Sequence, residues 1–290
     1  MDEKRKQLAQ RLKQPGLVVA PGVFELISAK IADRMGFDCL YMTGYGAVAS
    51  HLGLPDAGLA TYSDMVGRVA QIAKMTRTPL IADGDTGYGG LLNVPHAVQG
   101  YEAAGACAIQ LEDQEFPKKC GHMLGRRVIP AEDMAAKVRV AVDSRAHRDF
   151  LVIARTDART TLGLDEALRR AELYLKAGAD VLFIESPESV DEMRKIGERF
   201  RGVPLLANMV EGGRTPLLDA KTLQEIGYRI AIFPGLGFLA AGAALEGAYQ
   251  ALQAAGSSRD MPVPLYDFKR FSALMGFDDV AEFDRRYRGD

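Results

Sequence analysis

Leu151-Val152-Ile153-Ala154-Arg155 is followed by a helical apolar period over Asp165–Ala177, a glycine at position 178 and a second apolar run, Val181-Leu182-Phe183-Ile184-Glu185. Two short runs of this kind around an amphipathic segment read as buried strands joined by a crossover helix, the βαβ unit of a parallel sheet. The unit repeats outward in both directions. Upstream strand candidates are Leu17–Ala20, Cys39–Thr43, Leu80–Asp83 and Ala106–Leu111; downstream are Leu205–Asn208 and Ile230–Phe233. Helical patterns over Glu25–Met35, Ser63–Lys74, Ala131–Val142 and Val190–Phe200 separate them, and Gly36, Gly105, Gly178 and Gly202 stand as stops before the next strand. Eight units in about 250 residues predict a closed (β/α)8 TIM barrel. The rival, a doubly wound open sheet, lacks its nucleotide fingerprint: Ala20-Pro21-Gly22-Val23-Phe24 follows the first strand.

The barrel is assigned to residues 1–256 and a C-terminal helical extension to 257–290. Pro262-Val263-Pro264 breaks the chain there, and amphipathic patterns over Leu265–Met275 and Val280–Tyr287 follow. Their apolar stripe (Phe268, Phe271, Leu274, Met275, Phe277, Val280, Phe283) needs a cover, either the chain's own barrel or a neighbouring subunit. The 290 residues are 48% hydrophobic and 26% charged with a formal net charge of -2, an ordinary globular balance that argues against a nucleic-acid surface. Three cysteines (Cys39, Cys107, Cys120) suit a reducing cytoplasm better than a disulfide framework. Met1–Lys6 does not read as a signal peptide, and no stretch reaches the roughly 18 uncharged residues of a membrane span. The apolar run from Ile230 to Ala255, interrupted by Pro234 and Glu246, reads as a buried strand followed by a close-packed helix.

Polar residues sit at the strand ends: Thr43-Gly44, Asp83 and Asp85, Glu112 and Asp113, Arg155 and Asp157, Glu185, then Asn208 and Glu211. In a barrel these positions converge on one rim, where active sites are built, so the chain reads as an enzyme. Asp83 and Asp85 cannot both stay ionised cheaply without a cation, and hard oxygen donors without a nearby histidine suggest Mg²⁺ or Mn²⁺. Asp56 and Glu112 are candidate outer ligands, and Asp113 and Asp157 are expected to cap loops. Thr43-Gly44-Tyr45-Gly46 could offer a hydroxyl and backbone N–H groups to an anionic oxygen. Arg155 suits either a substrate carboxylate or a structural pairing with Glu185 or Asp157. In Lys118-Lys119-Cys120-Gly121-His122 a thiol flanked by cations and an imidazole is expected to have a depressed pKa, and Gly121 to let the backbone bend. Thr86-Gly87-Tyr88-Gly89-Gly90 reads as a flexible turn.

Several of these motifs resemble the isocitrate lyase/phosphoenolpyruvate mutase superfamily. They are Lys118–His122, Tyr41-Met42-Thr43-Gly44, Asp83-Gly84-Asp85-Thr86-Gly87-Tyr88-Gly89, Glu112-Asp113-Gln114, Arg155-Thr156-Asp157 and Ala207-Asn208-Met209. The likeness runs from about Pro15 to the C-terminus. The cysteine loop points to the lyase branch, and the length to its short members. The resemblance implies a Mg²⁺-dependent barrel with its last helix exchanged between subunits of a dimer, paired into a homotetramer. It puts the metal at Asp83 and Asp85, with Asp56 and Glu112 acting through water. The α-keto acid pocket falls on Thr43, Gly44 and Tyr45, and Gly121 and Asn208 complete the substrate-binding set. Cys120 is the implied general acid, on a loop that closes over the substrate.

The implied reaction is retro-aldol cleavage of a substituted malate of the 2,3-dimethylmalate or 2-methylisocitrate type, a small 2-hydroxy acid, giving pyruvate or a similar keto acid plus a carboxylate. Tyr41 or a nearby carboxylate, Glu185 among them, would take the hydroxyl proton. Lys118, His122 and Arg155 would supply positive charge, and Cys120 the final proton. Val210 stands where the family usually has a hydroxyl residue, and Gly235-Leu236-Gly237-Phe238-Leu239 lacks an expected arginine, which favours a smaller alkylmalate. Alternatives are a phosphonate or phosphinate mutase or hydrolase, an oxaloacetate decarboxylase and a non-catalytic scaffold. A Schiff-base aldolase has no lysine at any strand end.

Overall fold

The computed structural model describes residues 2–288. Its strands are β1 (Val18–Val23), β2 (Leu40–Met42), β3 (Leu80–Asp83), β4 (Ala108–Glu112), β5 (Leu151–Thr156), β6 (Val181–Ile184), β7 (Leu206–Asn208) and β8 (Ile230–Phe233). All neighbours are parallel and run in chain order, with β1 paired to β8 from Val18↔Ile230 to Pro21↔Phe233. A single bridge, Leu182↔Leu205, links β6 to the approach of β7 and nearly closes the ring. This is the expected (β/α)8 barrel.

The helices are α1 (Asp2–Lys13), α2 (Leu26–Asp33), α3 (Gly44–Leu52), α4 (Tyr62–Met75), α5 (Asn93–Ala104), α6 (Ala131–Ser144), α7 (Arg159–Leu162), α8 (Leu164–Lys176), α9 (Val190–Arg199), α10 (Ala220–Ile226), α11 (Leu236–Ala255), α12 (Phe268–Met275) and α13 (Phe277–Tyr287). Their ends follow local chemistry. Thr61 and Asp64 form a reciprocal capping box at the start of α4. All four glycines read as stops have a left-handed φ, between +78° and +105°, which costs a residue with a Cβ more than glycine.

The barrel has two apolar layers. An outer one packs strands against helices, with Met42, Ile109, Val152 and Leu182 facing Val69, Val98, Val138 and Ala171. The inner one fills the barrel with Ala20, Ile81, Ile153, Phe183 and Ile232, and it includes Leu8, Ala9 and Leu12 of α1. Lys4 Nζ donates to the carbonyls of Ala73 and Thr76, and Arg5 Nε to that of Ala106, so α1 sits across the strands' N-terminal ends. With that end plugged, only the C-terminal rim is left for chemistry.

The chain forms two compact units, Met1–Gly237 and Phe238–Asp290. No residue of α11, which begins at the junction of the two units, is buried. Phe268, Phe277, Val280 and Phe283 are 53–83% exposed, whereas Leu274 is buried. Among the described residues, no helix is long and apolar enough to cross a membrane.

Candidate active site

Parallel register assembles the rim. β3 ends on Asp83 and β4 on Glu112; Arg155 lies one residue from the end of β5, Glu185 follows β6, and β7 ends on Asn208. Pairings Asp83↔Gln110, Glu112↔Arg155 and Arg155↔Phe183 hold these groups side by side. Every one of these polar side chains is buried, which charged groups tolerate only when paired.

The acidic centre lies at β3. Asp83 Oδ1 accepts from Asp85 N at 3.1 Å and from Gln110 Nε2 at 3.2 Å. Asp85 has a φ of +48°, an uncommon region for a residue with a Cβ. Its Oδ1 lies 2.6 Å from Lys118 Nζ without hydrogen-bond alignment, and no other hydrogen-bond partner reaches it. The same ammonium donates to Asp56 Oδ1. Thr43 caps α3, and Gly44 brings bare backbone against Asp83, since a Cβ there would stand 2.5 Å from Asp83 Oδ2. Tyr45, on the same turn, is two-fifths exposed. Burial pushes the carboxyls of Asp56, Asp83, Asp85 and Glu112 upward, although Lys118 and Arg155 pull the other way. Burial also works against the Lys118 cation, but the surrounding carboxylates outweigh it and hold its pKa well above the usual lysine range.

Six carboxylates (Asp56, Asp83, Asp85, Glu112, Asp157, Glu185) therefore face three permanent cations (Lys118, Arg126, Arg155). A divalent ion would offset the excess. Among the described residues, no three acidic, histidine or cysteine side chains converge into a cage. Mg²⁺ needs none, because it binds through one or two carboxylates and keeps waters and substrate oxygens. The all-oxygen donors at Asp83 and Asp85, with no hydrogen bond aligned on Asp85 Oδ1, fit that ion.

These shifts carry a sign. A carboxyl with a raised folded pKa contributes its full stability below the unfolded value and loses it as pH rises through the folded one. Glu185 does the reverse: burial raises its pKa, but Arg155, His122 and Asn208 outweigh burial and hold it low, so its contribution is lost on acidification. Four raised carboxyls outnumber Glu185 and His122, whose lowered pKa values lose stability on acidification, so chelator-treated protein is expected to melt lower at about pH 7.5 than at about pH 5.5. Mg²⁺ should raise the melting temperature more at the higher pH, and equal shifts in a thermal melt would contradict this balance.

The cysteine loop lies over this centre. Its roots are tied by the bridge Gln114↔Val128 and by Glu115 N donating to Arg127 O at 2.8 Å. Gln114 Nε2 donates to Glu112 Oε1 and to Lys119 O, coupling the loop to the rim. Cys120 N donates to Asp56 O at 3.2 Å, and Ser186 Oγ donates to Gly121 O at 3.0 Å. Gly121 is needed for close approach, not for a bend: a Cβ there would collide with Arg155 Nη2 and stand 2.7 Å from Glu185 Oε2. His122 Nδ1 accepts from Arg214 N at 3.1 Å, which puts the neutral ring's proton on Nε2, 3.7 Å from Glu185 Oε1. Asn208 Nδ2 donates to Glu185 Oε2 at 3.0 Å and lies 3.3 Å from His122 Nε2.

Several expectations are corrected. Burial pushes the Cys120 thiol up rather than down, with the carboxylates of Asp56 and Glu185 adding to it. Of the two cations expected to depress it, Lys118 is turned to Asp56 and Asp85, and Lys119 Nζ donates to Gly125 O. Burial also lowers the His122 pKa, so His122 offers a neutral N–H instead of a charge. Tyr41 lies in the barrel interior with its hydroxyl donating to Gln110 Oε1 at 2.8 Å. Burial pushes its ionisation far up, so the phenol carries its proton in this fold. Arg155 takes the structural pairing, with Nε and Nη2 on the two oxygens of Asp157 at 3.0 and 2.9 Å. Its Nη1 and Nη2 also lie 3.3 Å from Glu112 and Glu185. The turn at Thr86–Gly90 is pinned, not flexible, by Tyr88 OH to Tyr101 OH, which in turn donates to Asp83 O. Asp113 supports loops as expected, accepting from Thr156 Oγ1, Asp157 N and Tyr174 OH. Gln110, Arg126 and Ser186 went unread, and Gln114 was read only as the last residue of the motif Glu112-Asp113-Gln114. Only Gln110 carried a signal, as an amide inside an apolar strand.

Residues 8–253 match the family described as phosphoenolpyruvate phosphomutase. The chain is 47% identical over 281 residues to a 2,3-dimethylmalate lyase from Eubacterium barkeri, covering 97% of each. It is 42% identical over 277 residues to a 2-methylisocitrate lyase from Aeropyrum pernix, covering 96% of this chain and 89% of that one. Among solved structures, an oxaloacetate acetylhydrolase in complex with 3,3-difluorooxalacetate superposes with a TM-score of 0.93 at 35% identity, covering 99% of this chain and 98% of that one. With its polar strand ends gathered at one rim and its cysteine loop docked there, the chain belongs to the phosphoenolpyruvate mutase/isocitrate lyase family.

Proposed function

We propose that the protein is a carbon–carbon lyase that splits a substituted malate of the 2,3-dimethylmalate or 2-methylisocitrate type into pyruvate or a similar α-keto acid and a second carboxylate. One observation carries this reading: a thiol kept protonated by burial heads a loop whose backbone is bonded to the acidic centre through Cys120 N and Asp56 O. Asp83 and Asp85 would hold Mg²⁺, or Mn²⁺ in its place, with Asp56 and Glu112 as outer partners. When bound, the ion would supply positive charge that polarises the carbonyl being formed.

The chain's own groups do the rest. Thr43, Gly44 and Tyr45 line the keto-acid side at the start of α3. A rim carboxylate, Glu112 or Glu185, accepts the hydroxyl proton. As the bond breaks, charge collects on the departing carboxylate fragment. The Lys118 ammonium, the Arg155 guanidinium, the His122 Nε2–H and the Asn208 amide face that charge. Cys120 then protonates the carbon, and the Gly121 backbone keeps the loop close enough for the transfer.

Val210 and the arginine-free turn after Pro234 favour an alkylmalate over a tricarboxylate. Exposed Phe268, Phe277, Val280 and Phe283 suit an interface with further copies, in a cytoplasmic homotetramer of helix-exchanged dimers. The test is keto-acid release with Mg²⁺ from alkylmalates, 2-methylisocitrate, oxaloacetate and phosphonopyruvate. Dimethylmalate is expected to give the highest kcat/KM. Turnover of phosphonopyruvate or oxaloacetate alone would replace the lyase by a hydrolase, mutase or decarboxylase.

A further inference from the structure

Arg126 lies at the far end of the cysteine loop, outside the pentapeptide that marks the site. Its side chain is fully buried, although Met123 and Leu124 beside it are 60% and 67% exposed. A loop with exposed apolar tips is not held shut by apolar burial, so polar contacts must hold it. Arg126 makes three of these. Nε donates to Met123 O at 3.1 Å within the loop, Nη2 to Thr160 Oγ1 at 2.5 Å, and Nη1 to Asp157 Oδ1. The last two acceptors belong to the barrel, in the segment after β5.

Asp157 Oδ1 is also the oxygen that accepts from Arg155 Nη2 at 2.9 Å. Two guanidinium groups therefore share one carboxylate oxygen, one from the loop and one from the rim. When Arg126 is docked, it takes part of the charge that otherwise ties Arg155 to Asp157, and Arg155 Nη2 is left more available to a third partner. Gly121 lies directly over that nitrogen.

We propose that Arg126 is the latch of the cysteine loop: by pairing with Asp157 it holds Cys120 at the acidic centre and loosens Arg155 toward the substrate. It is a positioning residue, acting on the reaction through Cys120 and Arg155. The kinetic part of this inference rests on the lyase reading; the thiol part does not.

The experiment uses the full chain with Arg126→Ala and Arg126→Lys. The first readout is alkylation of Cys120 by iodoacetamide without ligands, located by peptide mass spectrometry, with buried Cys39 and Cys107 as internal references. Arg126→Ala is expected to speed Cys120 modification at least tenfold and to leave the other two unmodified; Arg126→Lys, which can still reach Asp157, is expected to restore most of the protection. The second readout is kcat with the best alkylmalate, expected to fall about 10²-fold in Arg126→Ala with KM changed by less than about threefold, the pattern of a misplaced catalytic group. Wild-type alkylation rates in Arg126→Ala would overturn the latch whatever the substrate proves to be. A wild type that turns over no alkylmalate would sink the lyase reading and leave the alkylation result standing. Should Arg126→Ala fail to fold, Thr160→Val removes one of the two barrel acceptors. It is then expected to give a partial acceleration, and no acceleration would likewise overturn the proposal.

Discussion

Cys120→Ser is expected to lower kcat for alkylmalate cleavage by about 10³-fold, within the 10²–10⁴-fold range of a single positioned proton donor. Serine keeps the size and the backbone bond to Asp56 O, so the loop should still dock. What changes is acidity: a hydroxyl gives up its proton far less readily than a thiol, even one that burial has pushed up. Binding should survive, because Asp83, Asp85 and the α3 N-terminus are untouched. The melting temperature with Mg²⁺ plus pyruvate or oxalate should therefore match wild type. Turnover within a few-fold of wild type would remove Cys120 from the proton path, and loss of the thermal shift would make it a binding group.

The sequence was most legible where one periodicity served one purpose. β3 and β8 end at the expected residues because apolar runs buried on both sides leave no ambiguity, and the four glycine stops all mark left-handed turns. Helix α1 went unread, although Leu8, Ala9 and Leu12 fall at helical spacing among nine polar or charged residues; its partner is the barrel interior, which no local pattern announces. The site shows the same division. That Asp83, Glu112, Arg155 and Asn208 share a rim follows from strand ends alone. How Arg155 divides its bonds does not, because Asp157 competes for it at a distance set by the folded loop.

The thiol shows why proximity in sequence misled. Lys118 and Cys120 are two residues apart, and an extended chain would send both side chains to one side. In the fold the lysine reaches Asp56 and Asp85, where its charge is already spent, while burial and the nearby carboxylates govern the thiol. Charge acts through the folded neighbourhood, and on this rim the neighbourhood is acidic. A thiol held protonated suits the proposed proton donation, since a thiolate would have no proton to give.

Arg155→Met is expected to destabilise the protein by about 3–5 kcal/mol, the cost of removing one partner from a buried ionic network. Methionine keeps the length and much of the apolar contact with the Phe183 ring, over which the guanidinium carbon sits at 5.1 Å. It removes the charge that faces Asp157, Glu112 and Glu185 together. Arg126 still reaches Asp157, so the other two carboxylates lose most. Those carboxyls would then titrate at higher pH in the folded variant than in wild type. A raised folded pKa makes stability greatest at low pH, so the loss should shrink as the pH falls toward the carboxyl range. Urea unfolding midpoints of both proteins at about pH 5 and about pH 8 decide the matter, with the larger gap expected at the higher pH. A gap of equal size at both would mean that lost packing over Phe183, not unbalanced charge, is what the guanidinium supplies.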